Sequence, residues 1–464
     1  MVWSLSIGSI LIASCKKLVT IPEPVSSITT AEVFSSDEQA TSAIAGVYTQ
    51  MINSGSNPIY SNGAMSLYLA LSADEMTDFY GPADNGYFDS NGLQANANPT
   101  DRLFWSPAYA SIYGANAIIQ GLAASTGVHD SVKNELTGEA KFIRAFCYFY
   151  LTNIFGNVPL VLTTDFHQTA LLPRSPQTNV YQQIEQDLKD AQNALPGDYS
   201  VAISGRDRPN KWAATALLAR VYLFLGDWAD AEGQATTIIS NSLYNLENNL
   251  NNVFNGNSVE AIWQLLPNNE KYPYNATLDG IDFIPSTGNP PNYDITSSLL
   301  HSFEINDQRR AIWIDSTNYL GTTYYFPYKY TVSVDLTQDG APVSQPYMML
   351  RLAEQFLIRS EAREQQGEGG ATDDLNKIRL RAGLNTYAGA TDKTSVLTAI
   401  LHERQVELFA EWGHRWLDLK RTGEANAVLS QIPLKRPWSS NALLYPIPTN
   451  EITVDPNLTQ NPGY

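Results

Sequence analysis

The sequence contains little cysteine, with only Cys15 and Cys147 in a chain of 464 residues. Two cysteines are too few for the disulfide framework that stabilises small secreted proteins, and they form no Cys-rich zinc motif. Cys147 lies in an apolar helical pattern with Phe142, Phe146 and Tyr150. We therefore expect it to be a buried, unreactive thiol.

Histidine is also scarce, and the common catalytic motifs are absent. The five histidines form neither HExxH nor any other short-spaced metal pattern. The chain has no GxSxG elbow, no P-loop and no GxGxxG after a predicted strand. The sequence thus predicts no metal site, no cofactor and no motif-based catalytic residues. A glycosidase remains open at this point, because its two carboxylates can come from any part of a chain.

Positive charge is in short supply. There are 29 Lys and Arg against 47 Asp and Glu, which gives a formal net charge of −18, and charged residues make up only 16% of the chain. A protein this acidic repels the phosphate backbone of nucleic acids. We therefore predict no nucleic-acid partner. Asn, Ser and Thr are plentiful, which suits an extracytoplasmic protein that handles neutral, hydroxyl-rich ligands.

The longest apolar run near the start, LSIGSILIAS at residues 5–14, is too short to span a bilayer. It has the length of a signal-peptide core, and small residues lead into Cys15. We interpret residues 1–14 as a lipoprotein signal peptide and Cys15 as the lipidation site. Residues 15–35, with Pro22 and Pro24, then form an extended tether.

Helical periodicity dominates the remainder of the chain. Ser36 to Gln39 fits a capping box before an amphipathic helix. The strongest pattern, over 131–155, ends at Gly156, which is typical of a helix stop. Similar apolar spacing predicts helices over 63–73, 104–123, 177–195, 371–382 and 395–413.

Residues 211–240 predict a helical hairpin. Small alanines alternate with large residues along its first helix, and Gly226-Asp227 supplies a helix stop followed by a helix cap. Small-against-large packing across a short turn is typical of tetratricopeptide-type hairpins. A second hairpin is predicted where helix 347–366 meets Gly367 and helix 371–382.

Two stretches, 74–103 and about 242–345, lack a sustained helical period and are rich in Asn, Gly, Pro and Tyr. Pieces such as 259–266 fit short strands. Long irregular chain inside a compact protein is uncommon unless it is functional. We predict a mostly α fold, in which a tetratricopeptide-like scaffold (about 36–241 and 346–464) carries an irregular elaboration (about 242–345). Together they form a single domain over 36–464.

The chain resembles the SusD/RagB family of outer-membrane nutrient-binding lipoproteins. The pieces that carry the resemblance are Cys15 and residues 138–161, 171–196, 208–231, 348–362, 375–384, 403–423, 446–452 and 460–464. The resemblance implies a helical scaffold with a loop-rich ligand face and a lipid anchor in the outer membrane, facing the cell exterior. It also implies a partner, a SusC-like TonB-dependent barrel transporter that receives the captured glycan.

The candidate ligand residues are aromatic and polar side chains in the irregular stretches. A sugar ring presents a C–H face to an aromatic ring and hydroxyl groups to amides or carboxylates. The predicted ligand-binding residues are Asp74, Tyr80, Asn85, Tyr87, Phe88, Tyr272, Tyr274, Asn275 and Tyr293, with Asp78, Phe283, Tyr319, Tyr324 and Tyr325 in the same segments. The alternative for any single tyrosine is packing beneath a loop.

A charged stretch near the C-terminus allows two interpretations. Arg404, Glu407, Glu411, Arg415 and Asp418 bring opposite charges close to helical spacing. Glu407 and Glu411 would form the acid/base pair of a hydrolase. We instead predict structural ion pairs, because the resemblance places this stretch in the scaffold.

Four functions therefore remain in order of preference. The first is non-catalytic glycan binding for a transporter, and the second is the same fold binding peptides. The third is a surface glycoside hydrolase, and the fourth is a protein-interaction scaffold. Exposed aromatic residues in the loops favour the first over the fourth.

Overall fold

The architecture comes from a computed structural model, which describes residues 30–81, 87–96, 99–202, 205–267, 272, 274–334 and 343–464. The helices are α1 Thr30–Val33, α2 Asp37–Ile52, α3 Ala64–Ser72, α4 Ser106–Ala124, α5 Asp130–Phe155, α6 Phe166–Thr169, α7 Gln177–Ala194, α8 Lys211–Leu225, α9 Trp228–Ile239, α10 Leu278–Phe283, α11 Ser297–Ser302, α12 Gln308–Ile312, α13 Leu352–Gln366, α14 Ala371–Arg381, α15 Lys393–Leu408, α16 His414–Arg421, α17 Ala425–Leu429 and α18 Thr449–Val454. The strands are β1 Met76–Asp78, β2 Ala261–Leu265, β3 Tyr293–Ile295, β4 Ile314–Tyr319, β5 Thr322–Pro327 and β6 Tyr347–Arg351. The predicted fold class, mostly α with a few short strands, is confirmed.

The helical hairpin predicted over 211–240 is present as α8 and α9. Gly226 adopts the left-handed conformation (φ 72°) that a residue with a Cβ rarely accepts, and its N–H caps the end of α8. The Asp227 side chain accepts a hydrogen bond from Asp230 N at the start of α9. A buried ion pair between Arg220 and Glu354 (2.6 Å) then joins α8 to α13 of the second hairpin.

Two helix predictions were wrong at one end. Residues 347–351 form strand β6, because this segment pairs with β2 and is buried on both faces. The helix predicted over 395–413 ends at Leu408, and α16 begins at His414. Positive φ at Ala410, Trp412 and Gly413 breaks the helix between them. That break directs Trp412 into the core, where its Nε1 donates to Met348 O (2.7 Å).

The core is centred on α5. The fully buried ring of Phe146 meets Trp263 and Trp412 edge-on at centroid distances of 5.4 Å. Cys147 is buried beside the Tyr60 hydroxyl (3.2 Å), and burial raises the pKa of its thiol to about 12, as expected for an unreactive cysteine. Trp105 and Trp313 are buried as well.

The strands bring the two irregular stretches together. β1 pairs antiparallel with β3, with Asp78 opposite Tyr293, so chain from 74–103 meets chain from 242–345. β2 pairs with β6, and β4 with β5. The assignment of residues 36–464 to a single domain stays a prediction. No helix within the described ranges has the length and apolarity needed to cross a bilayer. The signal peptide, Cys15 and the tether up to residue 29 lie outside those ranges.

Candidate functional site

The end of β1 and the β4–β5 hairpin build a cluster of aromatic rings. Phe79 lies just after β1, and its ring meets Tyr324 at 5.2 Å and Tyr319 at 6.1 Å, both edge-on. Tyr80 also meets Phe79 edge-on, with the ring centroids 5.1 Å apart. We call Phe79, Tyr80, Tyr319 and Tyr324 the aromatic platform. Edge-on contacts between rings are a favourable arrangement that keeps each ring in place.

The hairpin places its two platform tyrosines on one face. Thr317 opposes Tyr324 and Tyr319 opposes Thr322 in the β4–β5 ladder. Since side chains alternate along a strand, Asp315, Thr317 and Tyr319 share that face with Tyr324. Leu320 and Gly321 at the tip both have positive φ (50° and 86°), which is the backbone of a type I′ hairpin turn.

Two hydrogen bonds attach the hairpin to the neighbouring chain. Tyr325 N donates to Asp294 Oδ1 (2.9 Å), and Thr317 Oγ1 donates to Asn289 O (3.3 Å). Half-burial raises the pKa of Asp294, while the bond from Tyr325 N lowers it. Together with Phe79, these contacts hold the hairpin beside the β1–β3 pair.

The platform is open to solvent at its rim. Tyr80 exposes 62% of its surface, whereas Phe79, Tyr319 and Tyr324 are half-buried. Tyr80 N donates to Asp78 Oδ1 (2.8 Å), which fixes the turn that carries the ring outward. An exposed aromatic face beside carboxylate, hydroxyl and amide groups is chemically suited to a sugar ring.

Of the predicted ligand residues, Tyr80 lies on the platform. Tyr87 is also exposed (40%), with a positive φ of 68°. Tyr272 (45% exposed) and Tyr274 form a separate pair, with ring centroids 5.9 Å apart. Asn85 lies outside the described residues.

The other predicted residues are buried. Phe88 is fully enclosed between Tyr68 and Tyr445, so it has no face left for a ligand. The Asp74 carboxylate binds the Arg415 guanidinium through two bonds of 2.7 and 2.8 Å. Tyr293 packs on Phe283, and Asn275 is 6% exposed. These four side chains support the loops from below.

Sequence reasoning missed Phe79. The signal in the sequence that could have identified it is the adjacent Tyr80. Two neighbouring aromatic residues directly after a short strand point to opposite sides, so one can pack while the other is exposed. The tyrosines of the hairpin were noted in the sequence, but only the tertiary contacts between the hairpin and the chain after β1 show that they join Phe79.

The charged stretch near the C-terminus forms buried ion pairs. Glu407 binds Arg351 (2.6 Å) and Arg309 (3.0 Å), and it also binds Arg381. Burial alone would raise the pKa of Glu407, but the charges of Arg381, Arg351 and Arg309 outweigh it and hold the pKa well below its usual value. The predicted structural ion pairs are therefore present.

Glu411 and Asp418 are paired in the same way. Glu411 binds Arg351 (2.8 Å) and Lys329 (2.5 Å), and Asp418 binds Arg404 (2.7 Å). A carboxylate held between two cations is a poor general acid or base, because its proton affinity is low.

Clefts also occur on the scaffold. One, with a volume of about 310 Å³, is lined by α15 and α16 residues such as Leu401, His402 and Arg415. A polymer needs an open surface that lets its chain continue past the contact, so the exposed platform suits it better than this cleft. In the part of the chain that the structure covers, no group of three His, Cys, Asp or Glu side chains is placed to hold a metal ion.

Comparison with protein families gives a match at both ends of the chain. A family described as starch-binding and associating with the outer membrane matches residues 32–223, and the SusD family matches residues 313–464. The chain belongs to the SusD/RagB family.

Individual SusD-like proteins agree with this assignment. SusD-like protein P2 of Formosa agariphila is 28% identical, over 81% of this chain and 82% of its own length. A SusD superfamily protein from Bacteroides vulgatus superposes with a TM-score of 0.79 at 22% identity, covering 92% of this chain and 99% of that one. A laminarin-binding SusD-like protein superposes with a TM-score of 0.75 at 24% identity, with coverage of 92% and 99%. The two structures show a shared fold.

Proposed function

We propose that this protein captures an oligosaccharide or polysaccharide on the aromatic platform, without cleaving it, and delivers it to a SusC-like TonB-dependent transporter. The observation that carries the proposal is the meeting of Phe79, Tyr80, Tyr319 and Tyr324 at one exposed edge. The family description as starch-binding supports the same ligand class. The laminarin bound by one structural relative is a second glycan of that class.

The platform has the two chemical parts that a sugar needs. The C–H face of a pyranose ring packs on an exposed ring such as Tyr80, which removes apolar surface from water. Hydroxyl groups then meet the exposed polar side chains on the same face of the hairpin, among them Asp315 and Thr322. Directional bonds of this kind add specificity to the stacking contact.

A peptide ligand and glycan hydrolysis are the alternatives. Extended peptides often add a strand to an exposed sheet edge, whereas the platform presents ring faces and hydroxyl groups. Hydrolysis needs two carboxyl groups roughly 5–10 Å apart with different proton affinities. The carboxylates that the sequence suggested for this role, Glu407 and Glu411, lie inside ion pairs.

The first experiment tests capture and cleavage together. Residues 16–464 are purified without the lipidated cysteine and tested against a panel of polysaccharides that includes starch and laminarin. We expect retention of one glycan class with no new reducing ends. Release of shorter products would show an enzyme instead, and retention of peptides but not of glycans would favour the peptide alternative.

A matched pair of variants locates the site. Tyr80 and Tyr113 are nearly equally exposed, at 62% and 59%, but Tyr113 lies on the scaffold helix α4. We expect Tyr80→Ala to weaken glycan binding about tenfold, the effect of losing about 1.4 kcal/mol of stacking. Tyr113→Ala should bind like the parent protein. Equal affinities for both variants would place the ligand elsewhere.

The anchor and the partner have separate tests. Cys15→Ser in the full chain should move the protein from the membrane fraction to the soluble fraction, because acyl chains are the proposed membrane attachment. Affinity purification of the anchored protein from its own cells should recover a TonB-dependent barrel. Membrane retention of Cys15→Ser would contradict the anchor, and recovery of the protein alone would contradict a stable complex.

A further inference from the structure

The segments that build the platform contain acids but no lysine or arginine. Residues 74–100 carry five Asp and Glu, residues 274–308 carry five, and residues 314–328 carry one, Asp315. None of the three segments contains Lys or Arg. The whole chain has 29 basic residues, so their absence from all three segments is a local property of this face.

The cations that flank these segments are engaged elsewhere. Arg309 is fully buried against Asp307 and Glu403, and Lys329 is buried against Glu411. Burial raises the pKa of the Tyr68 hydroxyl to about 12 and the nearby charge of Arg102 opposes that shift, so Arg102 lies close to Tyr68. Lys271 lies outside the described residues. These side chains leave no described cation directed at the platform rings.

Among the described residues, Arg310 is a cation that contacts a ring of the hairpin, but it does so on the face opposite the platform. Its guanidinium lies over the Tyr325 ring, 4.7 Å from the centroid. Tyr325 follows Tyr324 in β5, so the two rings point to opposite faces of the hairpin. The platform face instead carries the exposed carboxylate of Asp315, two residues from Thr317 on the same strand.

We infer that the platform selects uncharged glycans and rejects polymers that carry carboxylate or sulfate groups. This inference rests on the proposed function. A uronate or a sulfate is bound most strongly by the charge-assisted hydrogen bonds of Arg and Lys, whereas carboxylates accept hydrogen bonds from neutral hydroxyl groups. A charged polymer would bring repeated negative charges towards Asp315 and Asp294, on a protein whose net charge is already −18.

The test compares a bound neutral polymer with its own charged derivative. The neutral glycan retained best in the panel is partly oxidised at its primary hydroxyl groups, so that carboxylates appear on an otherwise identical chain. We expect at least tenfold weaker binding of the oxidised polymer at about 20 mM salt. The penalty should shrink at about 500 mM salt, because added salt screens repulsion between exposed charges. Alginate and polygalacturonate, which are natural uronate polymers, should not bind.

Asp315→Lys provides the second readout. We expect it to raise the ratio of oxidised-polymer affinity to parent-polymer affinity several-fold, since it converts a repulsive charge into an attractive one. Equal binding of the oxidised and parent polymers, or tighter binding of alginate or polygalacturonate, would overturn charge selection and leave glycan capture intact. If the weaker binding of the oxidised polymer changes neither with salt nor in Asp315→Lys, charge selection is also overturned, because lost hydroxyl contacts would then be the cause. No binding of any glycan would overturn the proposed function and this inference together.

Discussion

Two regions of this molecule use charge in opposite ways. Where the elaboration packs on the scaffold, a buried ionic layer pairs five acids with five bases; its members are Glu260, Asp307, Glu403, Glu407, Glu411, Arg309, Lys329, Arg351, Arg379 and Arg381. At the platform, aromatic rings lie beside acids with no basic residue in the three segments that build it. The first arrangement neutralises charge inside the protein, and the second leaves one sign of charge facing solvent.

The contrast separates residues that maintain the fold from residues that select a ligand. Each buried carboxylate of the ionic layer depends on its partners, because an unpaired charge in the interior is strongly unfavourable. Tyr80 contributes little to the stability of the fold, since most of its surface is already in water. Substitutions in the two regions should therefore change different measurements.

The largest effect is expected from Glu407→Gln. Loss of this carboxylate leaves Arg351, Arg381 and Arg309 short of one negative partner each. We expect a loss of about 3–5 kcal/mol in the free energy of unfolding, seen as a lower urea midpoint by tryptophan fluorescence. Glu185→Gln, which breaks the surface pair with Lys189, is the control and should cost less than about 1 kcal/mol. Similar midpoints for the two variants would contradict a structural role for the ionic layer.

The next effect is a pH dependence at Glu75, which lies where the two regions meet. Burial raises the pKa of Glu75 to about 8, with a contribution from the Asp74 charge, and its Oε1 has no hydrogen-bond partner. The folded state therefore keeps a proton that the unfolded state loses above about pH 4.3. Stability falls as pH rises from about 5 to about 8, by up to roughly 1.4 kcal/mol per pH unit.

Glu75→Gln should remove this contribution to the slope. The variant would lose less stability than the parent between pH 5 and pH 8, measured by urea unfolding at each pH. An exposed-residue control, Glu368→Gln, should leave the slope unchanged. Parallel profiles for the parent and Glu75→Gln would show that Glu75 is ionised in the folded protein at both pH values.

A smaller effect compares the same substitution in both regions. Phe79→Leu removes a platform ring while keeping apolar volume, and we expect glycan binding to weaken about tenfold, or about 1.4 kcal/mol. Phe146→Leu in the core should instead lower stability by roughly 1–3 kcal/mol and leave affinity unchanged, because it loses ring contacts with Trp263 and Trp412. Calorimetric titration and urea unfolding measure the two quantities. Loss of affinity in Phe146→Leu alone would reverse the assignment.

The smallest effect is expected at the hairpin tip. Leu320 is 88% exposed and has a positive φ of 50°, a conformation that asparagine accepts more readily than leucine. Leu320→Asn creates an Asn-Gly turn and should stabilise the hairpin by about 0.5 kcal/mol. Slower amide exchange in β4 and β5, with unchanged exchange in α5, would be the expected result. Faster exchange in the hairpin would contradict the turn type.

The sequence predicted the scaffold well because the signals were local. Gly226 and Asp227 mark a stop and a cap within two residues, and the structure uses both as predicted. The start of the first long helix was also correct, since Ser36 Oγ accepts from Gln39 N (3.3 Å). The errors came where a distant partner changed a local preference, as when β2 recruits residues 347–351 into a strand.

The site was predictable only as a set of loops. Composition identified the tyrosine-rich segments, and Tyr80 among them lies on the platform. Burial could not be judged from that composition: Phe88 and Tyr293 looked equivalent to Tyr80 but face the interior. Phe79 was missed because its role depends on rings about 240 positions further along the chain.

The sequence by itself determined the class of fold, the scaffold hairpins and the absence of basic residues from the ligand segments, because each follows from residue type or from spacing within a few turns. Only the tertiary structure decided which aromatic residues meet and which side of the hairpin faces Phe79. It also decided which carboxylates are made poor acids or bases by ion pairs with arginine. Those outcomes depend on the pairing of β1 with β3 and the docking of β4–β5 beside it. Contacts between residues so far apart in the chain produce no periodic pattern in the sequence, because the loops between them do not fix which residues come opposite each other.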